Sequence, residues 1–401
     1  MRTLILTLTL VLLAAPTAFA QQENSRPQLY KSRSFQVFTD LPKEEAEELV
    51  DRLETMLVFV SRYWGKPCRK MIKMFVVKDF QNWASEDMQN MAPEGIASIR
   101  SGGGLTMTSV RGIVGGPKLD ANAVVYATAD HGTPQHEAVH AYCGLTFGEL
   151  GPVWYAEGMA EVGQYWRKGE KGVTTNPYVL DYLKSQTPKP LNDIVNNPLE
   201  TTGDSWQNYA WRWTLCHLLG FNDNYTQRFK PLGMSFLAGN NTSFDTVYGS
   251  QFEEIDFEYK QFLQDVEPGY RCDLCSWDWK TRFRPVSGRA QVVSNIEADR
   301  GWQASRLLVT KGETYSVTTT GDWSLSKDGD ELTADGDENG NGKLVGVLFQ
   351  DYELSEIIEL GTDSAFRASQ DGKLYLRCQD DWGKLDDNKG DVKVTIKLAN
   401  P

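Results

Sequence analysis

The sequence predicts an α+β protein, in which a region of mixed strands and helices is followed by an all-β antiparallel sandwich. Three observations support this fold class. Helical and strand-like periodicity share the chain up to about Glu267, and short β-branched runs separated by Gly, Asp and Asn turns dominate beyond Pro285. The length of 401 residues suits two or three domains. We therefore expect a boundary at about residues 270–285.

The composition indicates a folded, acidic chain. It is 40% hydrophobic, and its 12 Trp, 16 Tyr and 17 Phe differ from the aromatic-poor composition of disordered chains. The formal net charge is −13, from 54 acidic and 41 basic residues. This balance disfavours nucleic acid and anionic lipid as partners, because both are bound through clustered Lys and Arg.

The first twenty residues have the pattern of a secretory signal peptide. Arg2 precedes an apolar run from Leu4 to Ala15, and the segment ends in Ala18-Phe19-Ala20. The run is shorter than the roughly 18 apolar residues that cross a bilayer, and no later stretch is long enough. We expect cleavage near Ala20, a secreted or periplasmic protein and no membrane span.

All six cysteines lie beyond this segment. An even number of cysteines in an exported chain permits disulfides. Cys272 and Cys275 form a C-x-x-C, and no second such pair completes a zinc ribbon. We expect a structural disulfide involving this pair, in preference to redox chemistry.

Hydrophobic periodicity places the elements of the first region in order. They are a strand at 35–39, a helix at 44–64, strands at 71–77 and 123–128, and helices within 136–166 and at 206–219. A glycine-rich stretch from Gly102 to Gly116 separates the last two strands. The order is mixed strands first and helices later.

The second region has β-branched runs at 314–320, 373–377 and 392–396, with Gly, Asp and Asn turns between them. Such spacing is typical of an antiparallel sandwich or barrel. These assignments divide the chain into a leader at 1–20, a first domain at 21–268, a linker with the C-x-x-C at 269–285 and a sandwich at 286–401.

The most specific chemical pattern is His136-Glu137-Ala138-Val139-His140, an H-E-x-x-H. Residues four apart share one face of a helix, so both imidazoles can bind one Zn²⁺ while Glu137 acts on the water that the metal activates. The five-residue pattern alone also fits a surface histidine pair beside a solvated glutamate.

A third ligand follows the motif on a second predicted helix. His₂Glu is one ligand set of catalytic zinc, and Glu157 supplies the carboxylate. Glu161, four residues on, can orient one imidazole through the free N–H of its ring. The alternative is an exposed acidic stripe, but the neighbours are apolar: Trp154, Met159, Ala160 and Val162.

The H-E-x-x-H followed by Trp154-x-x-Glu157-Gly158-x-Ala160-Glu161 resembles the gluzincin metallopeptidases, the peptidase MA-like group, with its tryptophan and E-G-x-A-E. The resemblance covers about residues 35–262. It implies a zincin-like domain, in which 123–128 resembles an edge strand before the active-site helices. It also implies that His136, His140 and Glu157 bind zinc, and that Glu137 is the general base in hydrolysis of a protein or peptide substrate.

Hydrolysis of this kind needs a second donor to the developing oxyanion. Gluzincins carry a Tyr or His on a downstream helix, which makes Tyr209 the first candidate and His217 the second. Because Tyr209 lies in a run with Trp206, Trp211 and Trp213, a place in the core is the alternative.

The segment from about 285 to 401 resembles the PA-IL-like, calcium-dependent galactose-binding lectins. The matching stretches are 309–317, 321–323, 374–380 and 386–390. The resemblance implies a carbohydrate partner and Ca²⁺ held by Asp380, Asp387 and Asn388, because oxygen donors suit this ion. Lys384 stands where the family has a hydroxyl ligand, and a cation there opposes metal binding.

A second acidic stretch, which begins at Asp335 and Asp337, resembles the start of an EF-hand loop. Gly346 stands at position twelve, where a bidentate Glu belongs. A solvated hairpin loop is therefore favoured.

The leading hypothesis is a secreted zinc metallopeptidase with a C-terminal lectin-like module that targets or stabilises it. The second is a non-catalytic zincin scaffold that binds carbohydrate or a cell surface through a calcium-dependent sandwich. In a third, the sandwich docks on the catalytic domain and occludes or completes its cleft.

Overall fold

The computed structural model describes residues 26–112, 118–196 and 205–399, so the predicted signal peptide lies outside the described residues. A mixed sheet and a set of helices form an N-terminal lobe, and two antiparallel sheets form a C-terminal sandwich. The predicted α+β fold class is confirmed.

The sheet of the N-terminal lobe is mixed. Its strands are β1 (Gln28–Lys31), β2 (Phe35–Thr39), β3 (Ile72–Val77), β4 (Gly104–Gly112) and β5 (Lys118–Thr128). The spatial order is β1-β2-β3-β5-β4. The three central strands run parallel, and β1 and β4 lie antiparallel at the two edges.

The edge strand differs from the sequence prediction. The segment 123–128 was expected at the edge, but β5 lies between β3 and β4. Its Ala123, Val125 and Ala127 are buried, which suits an internal strand. The glycine-rich stretch expected as a separator contains β4, and this strand forms the edge.

Helices cover both faces of the sheet. They are α1 (Lys43–Trp64), α2 (Ser85–Met88), α3 (Pro93–Arg100), α4 (Thr133–Thr146), α5 (Val153–Tyr165), α6 (Pro177–Ser185), α7 (Leu191–Val195), α8 (Trp206–Phe221), α9 (Thr226–Leu237), α10 (Phe244–Tyr248) and α11 (Phe252–Asp265). Side chains of β3 alternate between two cores: Met74 and Val76 pack with α1 and α4, and Phe75 and Val77 pack with α3. No helix of the described residues is long and apolar enough to cross a membrane.

Glycines let α4, α5 and α8 approach closely. A Cβ added at Gly158 of α5 would lie 2.4 Å from Sγ of Cys216 and 2.6 Å from the backbone oxygen of Arg212, both on α8. A Cβ at Gly163 would lie 2.5 Å from a methyl group of Val139 on α4. Any larger residue at either position would push the helices apart.

The C-terminal sandwich contains two antiparallel sheets. Its strands are β6 (Gln291–Glu297), β7 (Gln303–Val309), β8 (Thr314–Thr320), β9 (Trp323–Ser324), β10 (Leu344–Gln350), β11 (Glu353–Leu354), β12 (Ile358–Glu359), β13 (Asp363–Arg367), β14 (Gly372–Cys378) and β15 (Lys389–Leu398). One sheet has the order β11-β10-β14-β7, with β12 on β10, and the other has β13-β8-β15-β6, with β9 on β15. Alternate apolar residues of both sheets form one core between them.

A buried carboxylate joins the lobes at the connecting segment, residues 266–290. Glu258 of α11 accepts five hydrogen bonds of 2.6–3.1 Å. The donors are the side chains of Asn222, Asn224, Tyr225 and Trp279 and the backbone N–H of Trp277. Burial raises the pKa of Glu258, although these donors oppose the shift.

Aromatic rings continue this junction into the sandwich, and we call the set the junction cluster: Phe257, Trp277, Phe349 and Tyr375. The ring centroids of Trp277 and Tyr375 are 4.2 Å apart, and those of Phe257 and Phe349 are 5.2 Å apart. The two lobes therefore share a buried apolar contact as well as a chain connection.

The predicted disulfide is wrong, because all six cysteines are free thiols in the structure. Cys272 and Cys275 lie on one tight turn, where the backbone N–H of Cys275 donates to the carbonyl of Arg271. Burial raises the pKa of Cys272 and raises that of Cys275 to about 12. The thiolate needed for disulfide formation is therefore disfavoured at this pair.

Glu258→Ala is expected to lower the free energy of unfolding by about 3 kcal/mol, because buried donors lose their acceptor. Urea unfolding followed by circular dichroism measures the change. Glu253→Ala, exposed on the same helix, is the matched control and should change the free energy by less than about 0.5 kcal/mol. Equal effects of the two substitutions would contradict the structural role of Glu258.

Candidate metal centre

Local sequence fixes the start of the helix that carries the H-E-x-x-H. The Oδ1 atom of Asp130 accepts hydrogen bonds from the backbone N–H groups of Gly132 (2.7 Å) and Thr133 (2.6 Å). Pro134 occupies the first turn, where a missing N–H costs nothing. Helix α4 therefore begins at Thr133 and turns both motif histidines towards α5. The nearby His131 is exposed in the preceding turn.

Three side chains converge between α4 and α5. The Nε2 atoms of His136 and His140 are 3.1 Å apart, and Oε2 of Glu157 lies 3.2 Å from the first and 3.3 Å from the second. Both histidines are buried, and Glu157 is half-buried. We call these three residues the metal cluster. Within the described ranges, no other group of three His, Cys, Asp or Glu side chains is arranged to hold an ion.

Glu161 decides which nitrogen of His136 faces the cluster. Its Oε1 lies 3.0 Å from Nδ1 of His136, and the side chain is only 6% exposed. The Nδ1–H donates to this carboxylate, so Nε2 presents a lone pair to the cluster. Glu161 is thus placed where the sequence predicted an orienting carboxylate.

The cluster fits a divalent cation by its chemistry. A neutral imidazole nitrogen and a carboxylate oxygen are both acceptors, and acceptors at this spacing repel unless a cation or a proton lies between them. Zinc bonds of about 2.0–2.1 Å in a tetrahedron put neighbouring ligand atoms about 3.3 Å apart. The observed separations of 3.1–3.3 Å agree with that value.

Charges inside the cluster are strongly coupled. Burial alone would raise the pKa of Glu157, but its bonds to His136 and His140 hold that pKa well below its usual range. Burial alone would lower the pKa of His136, but Glu157 and Glu161 raise it well above the ordinary value. A bound cation would replace the proton that the carboxylates attract to this imidazole.

The edge strand β4 positions Glu137. The hydroxyl of Thr106 donates to Oε2 of Glu137 over 2.6 Å. A Cβ at Gly104 would lie 2.6 Å from Cγ of Glu137, so glycine is required for the strand to pass this close. Sequence reasoning missed both residues, and the only available signal was the glycine-rich stretch that contains Gly104.

The two candidates for an oxyanion donor occupy different places on α8. The ring centroid of Tyr209 is 5.7 Å from that of His136, and the guanidinium of Arg212 lies over the tyrosine ring. His217 follows two turns later, about 12 Å along the helix axis. Its ring packs against Trp213 and Phe262. The structure brings Tyr209 to the metal cluster and places His217 away from it.

The predicted calcium residues are only partly brought together. Nδ2 of Asn388 donates to Oδ2 of Asp380 (3.0 Å) and to the carbonyl of Ala298 (3.2 Å). Asp387 ends a short 3₁₀ helix directly before Asn388, and no side-chain hydrogen bond joins it to Asp380 or Asn388 in the described part of the chain. Lys384 pairs with Asp381 at 2.6 Å. Calcium binding here stays a prediction.

Carboxylates of the other acidic loop hold its own backbone. Asp337 accepts from the backbone N–H groups of Asn339 and Asn341, and Asp335 accepts from the backbone and hydroxyl of Thr362. These bonds are those of a hairpin loop that caps its own turns.

Comparisons with known proteins give only distant similarities. No family model and no curated protein matches the chain. Among solved structures, "EclA N-terminal domain; PllA-like lectin" is 15% identical, with 27% of this chain and 96% of that chain covered and a TM-score of 0.23.

A metallopeptidase also matches part of the chain. "IMPa metallopeptidase in complex with T-antigen" is 11% identical over 55% of this chain and 22% of that chain, with a TM-score of 0.17. IMPa from Pseudomonas aeruginosa in complex with an O-glycopeptide is 13% identical over 57% and 24%, with a TM-score of 0.18. The chain spans less than a quarter of these metallopeptidases, and such TM-scores assign neither fold nor function.

We expect the purified protein to bind about one zinc ion per chain and His140→Ala to lose it, because removal of one of three ligands opens the site. Inductively coupled plasma mass spectrometry after dialysis against zinc measures the content. His131→Ala, outside the cluster, should keep its zinc. A wild-type protein without metal would contradict the assignment.

Proposed function

We propose that the chain is an exported zinc-dependent metallopeptidase of the gluzincin type, which hydrolyses peptide bonds. The observation that carries the proposal is the convergence of Nε2 of His136, Nε2 of His140 and Oε2 of Glu157 within 3.3 Å of one another. His₂Glu with an open fourth position is a catalytic ligand set, and structural zinc sites use four protein ligands.

In the proposed hydrolysis, the metal and Glu137 have different roles. Zinc, when bound, would supply Lewis-acid polarisation of a carbonyl and a lowered pKa for water. Glu137 accepts the proton of that water and later donates it to the leaving amine. The hydroxyl of Thr106 donates to its Oε2 and so holds the carboxylate in place.

Tyr209 is the proposed donor to the oxyanion. Its ring lies beside that of His136, and a phenol O–H can donate to charge that develops next to the cluster. His217 is not used in this proposal, because its ring is buried against Phe262. Glu161 holds the imidazole of His136 in the orientation that the ligand set requires.

The sandwich stabilises the catalytic lobe in this proposal. The junction cluster buries rings from both lobes, and the backbone N–H of Gly383 donates to Oε1 of Glu267 over 2.5 Å. Gly269 and Gly383 approach so closely that a Cβ at Gly269 would lie 2.3 Å from the carbonyl oxygen of Gly383. The loop that contains Gly383 therefore contacts the end of the N-terminal lobe and is part of the junction between the two lobes.

Calcium-dependent binding of carbohydrate through the sandwich is the second candidate function. The observation in its favour is Oδ1 of Asn388, which is buried beside Asp380 without a hydrogen-bond partner in the described part of the chain. A glycan array with and without calcium tests this candidate. Glycan binding without peptide cleavage would favour it over the metallopeptidase.

Glu137→Gln is expected to keep zinc and to lower peptide cleavage at least about 100-fold, since the amide cannot accept the proton. Cleavage of a mixed peptide library, followed by mass spectrometry, measures the loss beside the zinc content. Glu44→Gln, exposed on α1, is the control and should cleave like wild type. Undiminished cleavage by the zinc-loaded Glu137→Gln protein would exclude Glu137 as the base.

Gly104→Ala tests how the edge strand positions Glu137. The added methyl group would meet Cγ of Glu137, so we expect kcat to fall about tenfold or more while zinc content stays unchanged. Gly103→Ala is a matched control, because its Cβ would lie 3.8 Å from the nearest atoms. The positioning role fails if both variants keep wild-type kcat.

A further inference from the structure

A cavity lies at the C-terminal ends of α5 and α8. Its volume is about 390 Å³, and Tyr165, His217 and Phe221 contribute to its lining. Tyr165 follows Glu157 by eight residues, about 12 Å along the axis of α5. None of the three residues of the metal cluster lines the cavity, and its volume lies in the range of small-molecule sites.

Two polar side chains in the cavity wall have no partner. His217 is 7% exposed, and neither ring nitrogen has a hydrogen bond to the described residues. Thr175 is 2% exposed, and its hydroxyl also has none. Buried polar groups are nearly always paired, so these atoms need a ligand or water.

His217 is uncharged at neutral pH. Burial lowers its pKa to about 3, although the charge of Asp273 opposes this shift. A neutral imidazole offers one donor and one acceptor. The interior of the cavity therefore presents hydrogen-bonding groups and no net charge.

Aromatic rings form much of the remaining wall. Phe59 and Trp166 stack with centroids 4.8 Å apart and an interplanar angle of 11°. Trp213 lies 5.8 Å from Tyr165 and 5.2 Å from His217, measured between centroids. Flat apolar walls of this kind suit an aromatic side chain.

Charges of both signs stand at the rim. Arg167 and Lys171 have no carboxylate oxygen within 4.0 Å in the described ranges, although Nη1 of Arg167 donates to the backbone carbonyls of Gln164 and Trp166, both over 2.8 Å. Arg271 is paired with Asp273 at 2.5 Å. Asp223 and Glu170 are exposed and also lack an ion-pair partner there. Within the described residues, the rim thus has cations and carboxylates without ion-pair partners, which suit the carboxylate and the ammonium group of a ligand.

We propose that this cavity binds a free aromatic α-amino acid. The ring of the ligand lies against Trp166, and His217 contributes a hydrogen bond inside. The carboxylate meets Arg167 and Lys171, and the ammonium group meets Asp223 or Glu170. This binding goes beyond the proposed hydrolysis and does not depend on a metal.

Isothermal titration of the full chain with L-phenylalanine tests the proposal, both after removal of metal and after reloading with zinc. We expect binding in both states. L-Phenylalaninamide lacks the carboxylate and L-leucine lacks the ring, so each should bind at least about tenfold more weakly. The metal-free arm separates failure of this site from failure of the proposed catalysis.

The rim residues provide variants that leave the interior intact. Arg167→Gln and Lys171→Gln should each weaken binding of L-phenylalanine about tenfold, and Lys230→Gln, exposed on α9, should not change it. Absence of binding of L-phenylalanine, L-tyrosine and L-tryptophan at about 10 mM would overturn the proposal. Wild-type affinity of both rim variants would also overturn it.

Discussion

The hydrogen bond between Nδ1 of His136 and Glu161 is the interaction on which the metal cluster depends. Nδ1 keeps its proton and donates it in a hydrogen bond to the carboxylate, which leaves Nε2 as an acceptor opposite His140 and Glu157. Without it, the imidazole could rotate or adopt the other tautomer. The buried position of Glu161 keeps this bond out of competition with water.

Close approach of backbone to side chain makes that arrangement possible. Gly158 follows Glu157 directly and lets α8 pack against α5, which brings Tyr209 towards the cluster. Gly104 lets strand β4 pass close to the side chain of Glu137. Glycines at these two positions therefore set how closely the elements that carry the site residues approach one another. Packing of the surrounding side chains then holds the helices in place.

Local patterns allowed part of this structure to be predicted from the sequence. The spacing of His136 and His140 predicts a shared helix face because four residues make about one turn. The contact of Thr106 with Glu137 joins residues 31 positions apart, and no local pattern indicates it. The wrong disulfide came from a count of cysteines, which contains no information on burial or thiol pKa. The position of β5 was misjudged because strand order depends on which segments pair.

The junction cluster has a consequence for the modularity of the chain. Phe257 and Trp277 precede the sandwich in sequence, yet they are buried against Phe349 and Tyr375 within it. A chain that stopped at residue 268 would lack Trp277 and Trp279, two of the groups that surround the carboxylate of Glu258. Each lobe thus shields buried groups of the other lobe from solvent. Replacement of the sandwich by another domain would expose the surface that it covers, so that surface would have to be redesigned.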